Sequence, residues 1–362
     1  MDTPEQTEKE LQVFLCTNCG AGMKYKPGTE TMVCSHCNTQ NNIPKEELLF
    51  VEELDFGSYM DKLESENLKP EKVVRCKNCG STSSVAEDVK SLNCPYCSSP
   101  LVEADIYEER FIKPGYLLPF NIDDSKVISL LTVWINGLWF APNNLKKAAL
   151  SPIGLKGVYV PYWTYDANTE SQYSGSRGDD YTVTVGSGDN KRTETRTSWS
   201  SVSGAVYLSF DDITIPASGN IDSKSLMQLE PWDTESLVSA KDEYLSGFIT
   251  EKYKVKLKEG FGIAKIQIDS RIESAVCSDI GGDRQRISSV NTAYNDITFK
   301  HLLLPVYVSA YRYDGKVYNF YVNGRNGKLV GSRPYSVIKI IFAVLLAVVV
   351  IAMIYMFYQQ GN

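Results

Sequence analysis

The segments Cys16-Thr-Asn-Cys19-Gly20 and Cys76-Lys-Asn-Cys79-Gly80 are two copies of one motif, and they decide how the N-terminal part of this chain folds. In each copy, fourteen residues separate the second cysteine from another Cys-x-x-Cys pair, and the two four-cysteine units are offset by sixty positions. Equal spacing at a fixed offset marks an internal repeat. The eight cysteines of the two units are Cys16, Cys19, Cys34, Cys37, Cys76, Cys79, Cys94 and Cys97.

Two short cysteine knuckles can supply the four tetrahedral ligands that zinc prefers. Gly20 and Gly80 follow the second cysteine of the first knuckle in each unit, where the chain must turn with a positive φ. We therefore predict two zinc ribbons with one Zn²⁺ each. These ions are expected to be structural, because four thiolates leave no open coordination position. His36, which lies between two of the ligands, is expected to be a surface side chain.

A disulfide scaffold is the other common use of eight cysteines, and it requires an oxidising compartment. The first ten residues are acidic and polar, without the apolar segment of a secretory signal peptide. Reduced, metal-binding thiols are therefore expected. The ninth cysteine, Cys277, has no histidine or redox partner near it in the sequence and is expected to be a buried structural thiol.

The composition disfavours several functional classes. A formal net charge of −7 over 362 residues gives no general attraction to nucleic acid or anionic lipid. His36 and His301 are the only histidines, which disfavours histidine-based catalysis. Residues 324–328 lack the spacing and the Ser/Thr of a phosphate-binding loop, and no nucleophile elbow, zinc-protease helix or dinucleotide fingerprint occurs. The sequence predicts a non-enzymatic protein with no evident small-molecule substrate.

The C-terminal region contains one long apolar run. Residues 337–358 read VIKIIFAVLLAVVVIAMIYMFY, in which Lys339 is the one charged residue. At 1.5 Å per residue, a helix of this length spans a hydrocarbon core of roughly 30 Å. Tyr335 and Tyr358 flank the run as interfacial aromatic residues do, and Lys339 can snorkel to the near interface. The pattern predicts a transmembrane helix over residues 336–358.

The charges that flank the apolar run indicate its orientation. Arg325, Lys328 and Arg333 precede the run, whereas residues 359–362 carry no charged side chain. The positive-inside rule therefore places the N-terminal bulk in the cytoplasm. We expect a single-pass protein of the cell (inner) membrane, inserted late in synthesis as tail-anchored proteins are.

Residues 105–335 are expected to form a β-rich α+β cytoplasmic domain. Aromatic and β-branched residues at 157–165 indicate a strand, and alternation over 173–210 around a turn at 186–190 indicates a hairpin of long strands. Further strands are expected at 302–313 and 316–322, joined through an Asp314-Gly315 turn. Helices are expected at 127–140, 223–229, 236–245 and 262–280, the last of them ending near Gly281-Gly282. The adjacent carboxylates Asp179–Asp180 and Asp211–Asp212 are assigned turn or capping roles.

The predicted fold class is therefore α+β and multidomain, with two N-terminal zinc ribbons, a β-rich middle domain and one C-terminal transmembrane helix. Residues 45–72 contain many acidic side chains with apolar residues at partly helical spacing, which indicates a helical connector. The predicted boundaries are 1–10 (disordered), 11–44 (ribbon 1), 45–72 (connector), 73–104 (ribbon 2), 105–335 (middle domain), 336–358 (transmembrane helix) and 359–362 (tail).

The chain resembles a family of bacterial membrane proteins with zinc ribbons like those of transcription factor IIB. The resemblance is carried by the paired Cys-x-x-Cys units and by WFAPNNLKK at 139–147, GVYVPYWTYDANT at 157–169 and YSGSRGDDY at 173–181. Its most specific block is residues 301–336, HLLLPVYVSAYRYDGKVYNFYVNGRNGKLVGSRPYS. Such proteins are often labelled relatives of the primosomal helicase, but this chain lacks a nucleotide-binding motif. Some members resemble subunits of membrane-stress assemblies encoded beside phage-shock protein A and flotillin-like proteins.

The resemblance implies a membrane-anchored adaptor or scaffold. Such a protein would recruit cytoplasmic partners to the bilayer and would assemble with other membrane-complex proteins. The alternative is a membrane-tethered nucleic-acid binder, for which a ribbon needs a basic face with stacking aromatic residues. The balance of charge is only slightly positive, with Lys24, Tyr25 and Lys26 in the first ribbon and Arg75, Lys77 and Lys90 in the second.

Overall fold

The computed structural model describes residues 14–44, 51–64, 70–84, 92–94, 96–97, 99–101, 105–145, 153–188 and 191–360. The segment predicted to be disordered, 1–10, lies outside the described residues. So do 45–50 and 65–69 of the predicted connector and the last two residues of the predicted tail.

The first cysteine unit, residues 14–44, contains a small antiparallel sheet. Its strands are β1 (Met23–Tyr25), β2 (Thr31–Cys34) and β3 (Gln40–Asn42). β2 is the central strand, and it places Cys34 opposite Met23 in the register. The chain between the two knuckles therefore returns through a β-hairpin.

The middle of the predicted connector packs against the body of the protein. β4 (Leu54–Asp55) is followed at once by helix α1 (Phe56–Glu64). The predicted helical character is present, and β4 also forms an antiparallel pair with residues 298–299 of a later strand. The rings of Phe56 and Tyr59 pack against Phe299.

The second cysteine unit extends past its predicted boundaries, 73–104. Strand β5 (Pro70–Arg75) begins before residue 73, and it pairs with β6 (Thr82–Ser84) and with β9 (Ile106–Arg110). A separate short pair joins β7 (Leu92–Asn93) to β8 (Pro100–Leu101). The sheet of this unit therefore includes residues on both sides of the predicted boundaries.

The body of the protein is one nine-stranded sheet built around three very long strands. Its strands are β4, β10 (Tyr116–Leu117), β11 (Ile153–Val185), β12 (Arg192–Pro216), β13 (Val238–Ser239), β14 (Ile249–Thr250), β15 (Arg284–Tyr313), β16 (Lys316–Asn323) and β17 (Leu329–Gly331). β11 is antiparallel to both β12 and β15 along most of its length. The predicted long hairpin is therefore present, and β15 begins at Arg284 rather than near residue 302.

Most of the helices that follow α1 cover the sheet or connect its strands, and the last one follows the final strand. They are α2 (Asp124–Gly137), α3 (Ser223–Gln228), α4 (Asp242–Leu245), α5 (Leu257–Ile280) and α6 (Val337–Gln360). The helix predicted over 236–245 is wrong for most of its length, because Val238 and Ser239 pair with β10 and only the last turn is helical.

Helix α5 covers one face of the long strands. It buries an apolar stripe at four-residue spacing, Gly260, Ala264, Ile268, Ile272 and Val276. The helix ends at Gly281, whose φ is 65°. The predicted helix and its glycine stop are both confirmed. Cys277 lies on this helix and is partly buried.

The adjacent carboxylates do not lie in connecting turns, so their predicted role is wrong. Asp180 lies within β11, opposite Thr197, whose hydroxyl donates to it, and it also forms an ion pair with Arg284. Asp212 lies in β12 beside a register shift, where its φ is 51°. It pairs at 2.8 Å with the ammonium group of Lys300. Asp180 thus joins β11 to both of its neighbours, β12 and β15, whereas Asp212 reaches from β12 across β11 to Lys300 in β15.

Candidate metal centres

Four cysteine thiols converge in the first unit. The Sγ atoms of Cys16 and Cys37 are 3.5 Å apart, as are those of Cys19 and Cys34, and all four lie within 4.8 Å of one another. Thiolates that share one tetrahedral Zn²⁺ at roughly 2.3 Å would be about 3.8 Å apart. The four sulfurs are thus arranged compatibly with zinc.

The second unit repeats this arrangement. Cys76 and Cys97 have their Sγ atoms 3.5 Å apart, and those of Cys79 and Cys94 are 3.4 Å apart. These four atoms also lie within 4.8 Å of one another. The structure therefore brings together all eight predicted ligands as two groups that could each hold a metal ion.

The backbone conformation of the first knuckle in each unit explains why the thiols converge. Gly20 has a φ of 72° and Gly80 a φ of 77°, a region that side chains with a Cβ rarely enter. Each of these glycines donates its N–H to the carbonyl of the first cysteine of its knuckle, at 2.9 Å for Cys16 and 2.8 Å for Cys76. The repeat in the sequence is therefore a repeat of conformation.

The first cysteine of every knuckle is buried. These residues are Cys16, Cys34, Cys76 and Cys94. Cys19 and Cys79 are exposed, so each group lies at the surface of its unit. This difference arises because the buried cysteines belong to strands or strand ends, whereas the exposed ones lie at the tip of a knuckle.

Local hydrogen bonds lower the pKa of one cysteine in each group. The Thr39 hydroxyl, 3.1 Å from the sulfur, holds the pKa of Cys37 at about 5. Burial opposes ionisation of Cys97, but hydrogen bonds from Ser99 and Asn78 lower its pKa to about 6. By contrast, burial raises the pKa of Cys94 to about 12. Four thiolates this close ionise together only beside a cation, as on a divalent metal ion.

The two histidines lie outside both groups. His36 is exposed, and its backbone N–H donates to the sulfur of Cys34. His301 is buried within β15, where its Nδ1–H donates to the carbonyl of Ile112 at 2.8 Å. Burial lowers the pKa of His301 to about 3, so the ring is neutral. His301 is therefore an interior strand residue, whereas the predicted strand began one position later, at residue 302.

Sequence reasoning missed a third cluster of charged groups. The ammonium group of Lys300, 5% exposed, lies 2.8 Å from Glu53, 2.8 Å from Asp212 and 3.4 Å from Asp166. Glu53, Asp166 and Asp211 have carboxylates close enough to share an ion, but the lysine already supplies a cation beside them. No sequence signal marks this cluster, since its members come from four separate segments of the chain, at residues 53, 166, 211–212 and 300.

Both cysteine units are attached to the body by hydrogen bonds. In the first, the Ser246 hydroxyl donates to the carbonyl of Met23 at 2.7 Å. In the second, the N–H of Lys252 donates to the carbonyl of Thr82 at 3.1 Å. The Tyr96 hydroxyl also donates to Glu251, a carboxylate whose pKa is raised by burial. Each unit therefore has one face against the body and one face in solvent.

Comparison with known proteins identifies one relative and no family. No protein-family model matches the chain, and no solved structure matches it. The chain is similar to a Bacillus subtilis (strain 168) protein named "Uncharacterized protein YdjG", with 27% identity over 345 residues. The alignment covers 89% of this chain and 90% of the relative. The similarity thus extends over nearly all of both chains, and the relative's name assigns no activity.

Proposed function

We propose that this chain is a membrane-anchored zinc-ribbon adaptor that gathers cytoplasmic proteins at the bacterial membrane. The observation that carries the proposal is the presence, in one chain, of two four-cysteine groups and an exposed apolar helix of 24 residues. Under this proposal the zinc ions stabilise the two units, and the body holds both units beside the bilayer. An anchored scaffold needs no catalytic group.

Three observations support zinc as the ion. The ligands are four sulfurs, which zinc accepts and hard cations such as Mg²⁺ and Ca²⁺ do not favour. The sulfur separations of 3.4–3.5 Å are near those of a tetrahedral site. The hydroxyl of Thr39, near Cys37, is placed to support a thiolate. A site filled by four thiolates is structural.

Helix α6 supports the membrane anchor. It is long and apolar enough to cross a bilayer, and none of its most apolar stretch is buried against the rest of the protein. A soluble helix of this composition would instead pack into a core. The cations before it and in its first turn, among them Arg333 and Lys339, support an orientation with the bulk of the chain in the cytoplasm.

The exposed faces of the cysteine units support partner binding. Residues 17–20 and 77–80, the two knuckle tips, are exposed, whereas the opposite side of each unit packs against the body. Partner proteins would dock on these tips, which zinc holds in shape.

Affinity capture tests the proposal. The tagged full-length chain, extracted in mild detergent, is expected to retain a defined set of soluble proteins. Those proteins should be lost from a Cys34→Ser, Cys94→Ser double variant, which removes one buried ligand from each group. Cys277→Ser, outside both groups, is the matched control and should retain them. An empty wild-type capture, or an identical set with the double variant, would argue against an adaptor.

A second candidate function is nucleic-acid binding, and one cavity favours it. The cavity, about 570 Å³, lies between the second cysteine unit and the start of α5. Among the described residues that line it, the charged ones are Arg75, Arg110, Lys252, Lys254, Lys256 and Lys258, with Glu109 as the one carboxylate. Such a cleft suits a polyanion, although Lys252 is already paired with Glu71.

Titration with a fluorescent single-stranded DNA decides between the two candidates. If the cleft binds nucleic acid, log K falls with log salt concentration by about 0.7 for each phosphate neutralised. A double variant, Lys254→Glu and Lys256→Glu, should then weaken binding. Lys224→Glu, which changes an exposed lysine on α3, should not. Absence of salt-sensitive binding removes this candidate and leaves the adaptor proposal standing.

A further inference from the structure

The connection that follows α2 presents two aromatic side chains to solvent. In this loop, residues 138–141, Leu138 and Ala141 are 7% and 5% exposed and belong to the core. Between them, Trp139 is 77% exposed and Phe140 38% exposed, with ring centroids 5.6 Å apart. The buried residues therefore fix the loop at both ends while its tip projects outward.

The loop is bound to the first turn of α6. The N–H of Ser336 donates to the carbonyl of Phe140 at 2.7 Å. The ammonium group of Lys339 donates to the carbonyls of Trp139 at 3.0 Å and Ala141 at 2.7 Å. Lys339, which was expected to snorkel to the near interface, thus contacts protein carbonyls at the start of α6. Residues two hundred positions apart are held at one level, where α6 begins.

That level is the edge of the bilayer if α6 spans it. A helix of 24 residues is roughly 36 Å long, slightly more than a hydrocarbon core of roughly 30 Å, so its first turn lies at the interface. Tyr335, also exposed, precedes this turn, and the guanidinium of Arg333 lies 5.3 Å from its ring centroid. Tryptophan and tyrosine concentrate at this depth, where their rings meet both acyl chains and water.

We propose that the loop at 138–141 is a membrane-contact site that inserts Trp139 and Phe140 into the lipid headgroup region beside α6. This inference rests on the proposed membrane anchoring. The contact would fix the body against the bilayer, since an aromatic tip far away in sequence and the spanning helix would engage the same leaflet. It would thereby set which faces of the cysteine units point toward the cytoplasm.

The test is tryptophan quenching by lipids with brominated acyl chains. The full-length chain is reconstituted into nanodiscs of phosphatidylcholine and phosphatidylglycerol, with and without bromination. The chain has five tryptophans, so the wild type is compared with Trp139→Phe. The control is Trp199→Phe. Trp199 lies opposite Gly178 in the pairing of β12 with β11. Gly178 is twenty-five residues beyond Ile153, where β11 begins, which corresponds to roughly 80 Å of strand.

If the loop is a membrane-contact site, brominated lipid should quench part of the tryptophan fluorescence of the wild type. Trp139→Phe should lose most of this quenched component, and Trp199→Phe should keep it. An equal quenched component in all three chains, or none in nanodisc-bound wild type, would overturn the site while leaving α6 as an anchor. A chain that fails to enter nanodiscs would instead refute the anchoring on which both proposals depend. An unchanged near-ultraviolet circular dichroism spectrum outside the indole bands verifies that each variant is folded.

Discussion

The hydroxyl group of Tyr25 donates a hydrogen bond of 3.1 Å to the carbonyl oxygen of Phe120, ninety-five residues further along the chain. The same hydroxyl lies 2.9 Å from the carbonyl of Thr29, so one buried side chain joins the hairpin of the first cysteine unit to the core. The ring of Tyr25 also packs edge-on against Tyr244 at 5.2 Å. The first unit is therefore attached to the body through both parts of the Tyr25 side chain: the ring packs against Tyr244, and the hydroxyl group bonds to Phe120.

Tyr25→Phe should weaken this attachment and keep the aromatic packing. Loss of one hydrogen bond is expected to lower the free energy of unfolding by about 1 kcal/mol. Hydrogen exchange followed by mass spectrometry should show faster exchange in residues 14–44 than in the wild type, with the second unit unchanged. Equal exchange in both chains would mean that the bond does not hold the unit.

Alanine substitutions at two glycines of α5 should change the free energy of unfolding in opposite directions. A Cβ on Gly260 would lie 2.4 Å from the hydroxyl of Tyr165 and 2.9 Å from Trp163, whereas one on Gly262 would meet nothing within 4 Å. Gly260→Ala is expected to destabilise by about 1–3 kcal/mol through overpacking. Gly262→Ala is expected to stabilise by about 0.5–1 kcal/mol through helix propensity. Denaturant unfolding of the two variants checks this pair, and a stabilising Gly260→Ala would show that α5 packs differently.

Acid should destabilise the fold partly through His301. Burial holds its folded pKa at about 3, below its usual value of about 6.5, so between these values the unfolded chain takes up a proton and the folded chain does not. Its contribution is fully present above pH 6.5 and falls by up to about 1.4 kcal/mol per pH unit below it. Between pH 6.5 and 5, stability should therefore fall less steeply in His301→Gln, which keeps an N–H donor, than in the wild type. Parallel slopes would contradict a neutral buried ring.

Removal of the buried cation at Lys300 should be costly. Lys300→Met leaves Glu53, Asp166 and Asp212 without their ammonium partner, which is expected to cost about 3 kcal/mol. Asp212→Asn, made in the Lys300→Met background, should recover part of this loss because it removes one uncompensated carboxylate. A double variant that is destabilised by the sum of both single effects would show that the groups do not interact.

Short-range patterns made much of the structure predictable. The cysteine spacing with Gly20 and Gly80 predicted convergent thiols, because few backbone conformations place such pairs around one point. The stripe that includes Ile268 and Ile272, with Gly281 after it, predicted α5 and its end. The Asp314-Gly315 turn between β15 and β16 is present as predicted, with positive φ at both residues.

Long-range relations were not predictable in the same way. Residues 284–301 were missed as a strand because Gln, Ser and Asn alternate there with few apolar side chains, and only one face of that stretch lies against α5. Trp139 was placed in an apolar helix that in fact ends at Gly137. The neighbours of Lys300 come from segments far apart in the chain, so their meeting depends on the register of the long strands.

The central claim is that two zinc sites stand on a membrane-anchored chain, and the metal content of the protein extracted from washed membranes tests it most directly. Inductively coupled plasma mass spectrometry should find two zinc ions per chain in the wild type and in Cys277→Ser. Cys34→Ser and Cys94→Ser should each retain one, since each removes a buried ligand from one group. A wild-type chain recovered from membranes without zinc, or one absent from the membrane fraction, would contradict the account.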